Sequence, residues 1–119
     1  MRLLLVDDNP VNLELFRDTL EGAGHDVVTE TDPRVGASRA GSERFDLILL
    51  DIQMPGLDGY AICRKLRAGG VSGPIVALSS NALPEHLAAG SAAGFDAYLT
   101  KPIAPAALRE AVAKLGRPA

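Results

Sequence analysis

Four apolar residues, Leu47-Ile48-Leu49-Leu50, run without a polar break, and Asp51 ends the run. A strand with one wet face alternates apolar and polar residues. An unbroken run reads instead as a strand covered on both faces, which is what a central strand of a parallel sheet requires. Gln53, Met54, Pro55, Gly56, Leu57, Asp58 and Gly59 lie beyond it and read as a loop. In open α/β sheets the site lies outside the carboxyl ends of such strands. Asp51 is therefore expected at the lip of a site. An aspartate after a strand can also merely cap a loop or helix, so the other strand ends have to decide.

The rest of the chain repeats the same unit. Leu3 to Val6 form an apolar run that ends in Asp7-Asp8. Asn9 and Pro10 then open a helix, as an N-cap residue followed by proline at the first turn. Val11, Leu15, Phe16, Thr19 and Ala23 are its expected apolar stripe, and Gly24 its stop. Residues 25–31, with Val27-Val28, read as a strand near the sheet edge. Thr31 or Asp32 with Pro33 starts a second helix ending near Glu43, with Val35, Ala37 and Ala40 as its apolar side. After the central strand, Asp58 or Gly59 leads a helix carrying Tyr60, Ile62, Cys63 and Leu66. Ile75 to Leu78 make a fourth apolar run, closed by Ser79-Ser80. Pro84 to Ala93 read as an Ala-rich helix ended by Gly94. Ala97 to Thr100 are the fifth strand, closed by Lys101-Pro102. Pro105 opens the last helix, striped by Ala107, Leu108, Ala111, Val112 and Leu115.

Strands alternating with helices over short connections imply a parallel sheet with helices on both faces. Right-handed crossovers restrict the winding. The expected fold is a doubly wound (βα)5 α/β domain, flavodoxin-like, with a five-stranded parallel sheet in the order 2-1-3-4-5.

Composition excludes several classes. At 119 residues the chain suits one domain, and 47 % hydrophobic residues can fill a core. No apolar run approaches the roughly 20 residues that cross a bilayer. The first strand begins almost at Met1, which leaves no room for a signal peptide before it. Cys63 is the single cysteine, so there is no disulfide framework. A cytoplasmic protein without a membrane partner is expected. The net charge of -3 and 4 % aromatic content argue against direct nucleic-acid binding. Arg64, Lys65 and Arg67 lie close together but read as a solvated helix face.

In the order 2-1-3-4-5 the first and third strands are neighbours at the switch point. Asp7, Asp8, Asp51, Ser79 and Lys101 then converge on one rim. Ionised carboxylates at about 5 Å, with an effective dielectric of about 20, repel by roughly 3 kcal/mol per pair. A hard divalent cation removes that cost, and Mg²⁺ suits carboxylates that leave room for waters and a phosphoryl oxygen. A carboxylate can also act as a nucleophile toward phosphorus. Lys101 would balance phosphoryl charge, and Ser79 would hydrogen-bond a further oxygen.

The motifs LVDDNPVN, LLDIQMPGLDG, IVALSSNA and YLTKPI, at these spacings, resemble the receiver domain of two-component response regulators over nearly the whole chain. The resemblance implies a receiver domain across residues 1–119 with no effector domain in this chain, of the single-domain, chemotaxis-regulator-like kind, either stand-alone or part of a longer regulator or hybrid kinase. It implies that Asp51 is the phosphoacceptor. Asp8 and Asp51 would be side-chain Mg²⁺ ligands, with the Gln53 backbone carbonyl as a third, and Asp7 would hold the ion through water. Ser79 would turn toward the phosphoryl group, Tyr98 would be the aromatic switch that follows it, and Lys101 would pair with the phosphate. Pro102 matches the proline of a cis Lys–Pro bond. The donor would be a histidine kinase or a histidine phosphotransfer protein. The downstream protein would bind the face built from the fourth helix, fifth strand and fifth helix. Such a domain is not a conventional enzyme, but it would catalyse its own phosphorylation and a slow autodephosphorylation.

Ser80 replaces the alanine most common in that family, and Gln53 stands at a variable position facing incoming water. Both bear on phosphoryl lifetime. Leu13 falls off the expected stripe of the first helix, where it reads as an ordinary exposed leucine or as one that helps to dock the donor. His25 and His86 read as surface residues, Cys63 as core, Tyr60 as packing or capping, and Met54-Pro55-Gly56 as shaping the loop. A dehalogenase-type phosphatase would need a second acid where Gln53 stands. A flavin module would need a phosphate loop where Asp7-Asp8 stand. A receiver-like interaction domain that signals without phosphorylation is the remaining alternative.

Overall fold

The computed structural model describes residues 1–53, 58–80 and 83–116. The expected Met54-Pro55-Gly56 turn and the tail after Gly116 lie outside the described residues.

Five strands alternate with five helices: β1 (Arg2–Val6), α1 (Pro10–Gly22), β2 (Asp26–Glu30), α2 (Pro33–Ser42), β3 (Leu47–Asp51), α3 (Gly59–Ala68), β4 (Ile75–Ser79), α4 (Pro84–Ala93), β5 (Ala97–Thr100) and α5 (Pro105–Leu115). All pairings are parallel, in the order β2-β1-β3-β4-β5. The helix starts follow their local chemistry. Asn9, Asp32 and Asp58 each accept a backbone N–H from the first turn of the helix they precede. Among the described residues, no helix is long and apolar enough to cross a membrane.

Period-2 alternation divides the core. Leu3, Leu5, Leu47, Leu49, Val76 and Leu78 point to one face, where α1 and α5 cover them with Leu13, Phe16, Leu20, Leu108 and Val112. Leu4, Val6, Ile48, Leu50, Ile75 and Ala77 point to the other, under Ala40, Ile62, Cys63, Leu66 and Ala93 of α2, α3 and α4. Every residue of β3 and β4 is buried. Each fully buried Leu or Ile contributes about 1.5–3 kcal/mol.

The stripe expected on α1 is displaced. Leu13 is buried along with Phe16 and Leu20, whereas Val11 is 71 % and Leu15 53 % exposed. The true stripe is turned from the expected one by roughly one residue's step, about 100°. Both sets of apolar residues have helical spacing, and only contact with the sheet and α5 selects between them. Leu13 therefore belongs to the core, and both readings of it as an exposed residue, ordinary or donor-docking, fall. Arg67 corrects a second expectation. Its guanidinium donates to the carbonyls of Val71, Gly73 and Gly94 and to the Asp96 carboxylate, so it clamps two loops and is not simply solvated.

Candidate functional site

Strand register builds the site. Val6 is level with Leu50, so Asp7, one residue on, lies beside Asp51. Asp51 is level with Leu78, so Ser79 stands one step higher on β4. Ser79 is level with Thr100, so Lys101 follows at the same rim. Alternation sets the facing. Asp7, Asp51 and Lys101 continue the parity of Leu5, Leu49 and Leu99, all on the α1/α5 side. Tyr98 has the opposite parity and packs with the α3/α4 layer.

Among the described residues, the buried polar or charged ones are Asp7, Asp51 and Ser79, and all three stand at this rim. A domain buries a carboxylate at a cost that some partner must offset. Here Lys101 Nζ donates to Asp51 Oδ2 at 2.8 Å and to Asp7 Oδ2 at 3.3 Å. The peptide bond that follows Lys101 is cis. The Gln53 amide donates to Asp51 Oδ1 at 2.8 Å, and the Asn9 amide donates to Asp7 Oδ1 at 3.0 Å. Burial pushes the Asp51 carboxyl above its ordinary pKa and the Asp7 charge adds to this, while the Lys101 and Gln53 hydrogen bonds pull the other way without cancelling it. For Lys101, burial disfavours the charge, but the pairing with Asp51 and the Asp7 charge outweigh it, and its pKa is raised. The ammonium is therefore firmly charged.

Asp8 is exposed, and its carboxylate joins those of Asp7 and Asp51 in a cluster whose oxygens lie within 4.8 Å of one another. Hard oxygen donors at this spacing suit a hard divalent cation. Gln53 is exposed, and its side chain makes a contact that its backbone role does not suggest. Its Oε1 accepts from both the Ser80 amide and the Ser80 hydroxyl, each at 2.7 Å. Tyr98 is half-buried on β5 and packs with the α3/α4 layer, where a Cβ at Gly90 of α4 would stand 3.1 Å from its Cδ2. Sequence reasoning missed the Gln53–Ser80 bridge, and no local signal marks it. A recess of about 690 Å³ between Ala40–Phe45 and Gly69–Pro74 lies at the opposite end of the sheet.

The fold and the site together define a doubly wound α/β domain with an acid–lysine pocket at its switch point. Residues 3–113 match the response regulator receiver domain family. The chain belongs to that family, the receivers of two-component signalling. It is 40 % identical over 118 residues to the sensor protein GacS of Pseudomonas syringae pv. syringae, covering 95 % of this chain but 13 % of that one. It is 39 % identical over 118 residues to the two-component response regulator ORR41 of Oryza sativa subsp. japonica, covering 96 % of this chain and 93 % of that one. The chain thus spans only a small part of its sensor-kinase relatives and nearly all of the rice regulator. Among solved structures, the receiver domain of sensor histidine kinase PA1611 from Pseudomonas aeruginosa PAO1 superposes with a TM-score of 0.86 at 35 % identity, over 96 % of this chain and 95 % of that one. That structure has a magnesium ion coordinated in its active-site cleft.

Proposed function

We propose that Asp51 takes a phosphoryl group from a phosphohistidine of a histidine kinase or histidine phosphotransfer protein. The observation that supports this most is a carboxylate only 2 % exposed with an ammonium 2.8 Å from Oδ2. Asp51 is held by the Gln53 amide on one oxygen and by Lys101 on the other. A carboxylate oxygen attacks phosphorus, the P–N bond breaks, and the imidazole leaves with the electron pair and is reprotonated. Such a transfer needs mainly positioning and charge stabilisation. Lys101 moves its charge from the carboxylates to the phosphoryl oxygens, and the Ser79 hydroxyl donates to another of them.

Asp8 and Asp51, with the Gln53 carbonyl, would hold Mg²⁺ directly, and Asp7 would hold it through water. The donor set fits, since three carboxylates approach within 4.8 Å. Bound there, Mg²⁺ supplies neutralisation of the negative charge that gathers as the phosphoryl group approaches. Water attack on the acyl phosphate later returns the carboxylate, so the domain also catalyses a slow dephosphorylation of itself.

The phosphoryl group adds about -1.5 to -2 charge and strong acceptor oxygens, by analogy with other phosphorylated side chains. Ser79 follows it, and Tyr98 moves into the vacated space. The α4–β5–α5 face repacks and binds the downstream protein. Donor docking falls on Val11 and Leu15, the exposed apolar residues of α1 near the site. The test is acetyl phosphate labelling read by intact mass, with and without Mg²⁺. A Mg²⁺-dependent adduct that is lost in Asp51→Asn is expected. A folded wild type that takes no adduct overturns the reading.

A further inference from the structure

α2 faces α3 with small residues. Ala37, Ser38 and Gly41 share one side of α2 at helical spacing, and none carries a long side chain. Ile62 and Leu66 form the facing stripe of α3. Between the two helices lies a groove of about 490 Å³, lined by these residues and Val71. Ala37, Ile62, Leu66 and Val71 also pack in the core on this face of the sheet, so the floor of the groove is apolar. Its volume falls within the roughly 300–1,000 Å³ of small-molecule sites. Two exposed cations stand on the walls, Arg34 from α2 and Lys65 from α3. Among the described residues neither forms an ion pair, and no aspartate or glutamate lines the groove. The groove adjoins the recess beside Ala40–Phe45, with which it shares Gly41, Gly69 and Val71. The acid of that recess, Glu43, is already held by Arg2 and Arg39 at 2.7 Å each. An apolar floor thus meets a positive rim that has no counter-charge of its own.

We propose that the α2–α3 groove binds a small amphipathic carboxylate, its apolar body over Ala37, Ile62 and Leu66 and its head toward Arg34 and Lys65. Burial of the apolar body supplies most of the affinity, and the two cations select the sign of the head. Asp7, Asp8, Asp51, Gln53, Ser79 and Lys101 are all absent from the walls. Ligand binding here is therefore separable from phosphoryl transfer at Asp51.

The experiment titrates the whole ¹⁵N-labelled chain with decanoate, decanol and decylamine, which share one alkyl chain and differ in the head. Decanoate should shift the amides of residues 34–41 and 62–71 saturably, with a Kd of roughly 0.01–1 mM. Two exposed cations together correspond to roughly a four- to twenty-five-fold change. Decanol should bind more weakly by that factor, and so should decanoate to the double variant Arg34→Ala, Lys65→Ala. Decylamine should bind weakest. Gly41→Leu fills the groove. A Cβ at Gly41 would stand 3.7 Å from Leu66 Cδ2, an ordinary contact, and leucine suits a helix better than glycine. This variant should take the acetyl phosphate adduct as wild type does and lose decanoate binding. The double charge variant carries the test if Gly41→Leu fails to fold. No saturable shift in folded wild type overturns the site. Equal affinity for decanoate and decanol overturns the carboxylate as ligand. Shifts that lie outside the groove, or that persist in Gly41→Leu, put the binding elsewhere and overturn the proposal. A wild type that binds decanoate in the groove but takes no acetyl phosphate adduct overturns the phosphoacceptor reading alone.

Discussion

The Gln53 side-chain oxygen accepts two hydrogen bonds from Ser80, one from its amide and one from its hydroxyl, each at 2.7 Å. This bridge ties the connection after β3 to the connection after β4, directly beside the carboxylate that Gln53 also contacts through its amide. Gln53 is thereby held beside Asp51 by bonds at both its side chain and its backbone. Ser80→Ala removes one of the two bonds and should loosen this hold. The Asp51 phosphoryl adduct should then decay roughly two- to fivefold faster, the equivalent of a typical hydrogen bond. A time course of intact mass after removal of acetyl phosphate measures it, and an unchanged half-life would remove the bridge from the account.

Magnesium should stabilise the fold through its acidic cluster. A ligand at ten times its Kd adds about 1.4 kcal/mol. Wild-type Tm should therefore rise on Mg²⁺ addition and fall back with EDTA. Asp8 is exposed, so Asp8→Asn should leave the metal-free Tm at or slightly above wild type while abolishing most of the Mg²⁺-dependent rise. A variant that keeps the full rise would exclude Asp8 as a ligand.

Acid sensitivity should centre partly on Glu43. The Arg39 and Arg2 hydrogen bonds hold its carboxyl down at about 2. The folded pKa lies below the unfolded one, so the contribution is present above the ordinary carboxylate range and is lost as pH falls toward 2. Glu43→Gln should lower Tm at neutral pH and flatten its decline between pH 4.5 and 2. Parallel acid limbs for the two proteins would contradict this.

Two substitutions on α1 should separate packing from docking. Leu13 is 4 % exposed, and Leu13→Ala should cost about 2–5 kcal/mol in chemical denaturation. Leu15 is 53 % exposed, and Leu15→Asp should change stability by less than about 0.5 kcal/mol. The same Leu15→Asp variant should slow transfer from a phosphohistidine donor and spare labelling by acetyl phosphate. Equal rates from both donors in variant and wild type would move docking elsewhere.

Much of the fold was written locally. The short unbroken runs ending at Val6, Leu50 and Leu78 read as covered strands, and Asn9, Asp32 and Asp58 carry the chemistry that starts a helix. The alternation fits a doubly wound parallel sheet, and in one Asp7, Asp51, Ser79 and Lys101 share a rim, because parallel strands put all carboxyl ends at one end of the sheet. The tertiary structure alone decided which way α1 turns, since two apolar stripes of equal helical spacing compete and only the partner surface breaks the tie. It alone placed Lys101 between Asp7 and Asp51, Arg67 among three loop carbonyls, and Gln53 against Ser80. Periodicity reports how a residue faces its own element. Hydrogen bonds between distant residues depend on side-chain direction and on distances of a few tenths of an ångström, which exist only after the layers have packed.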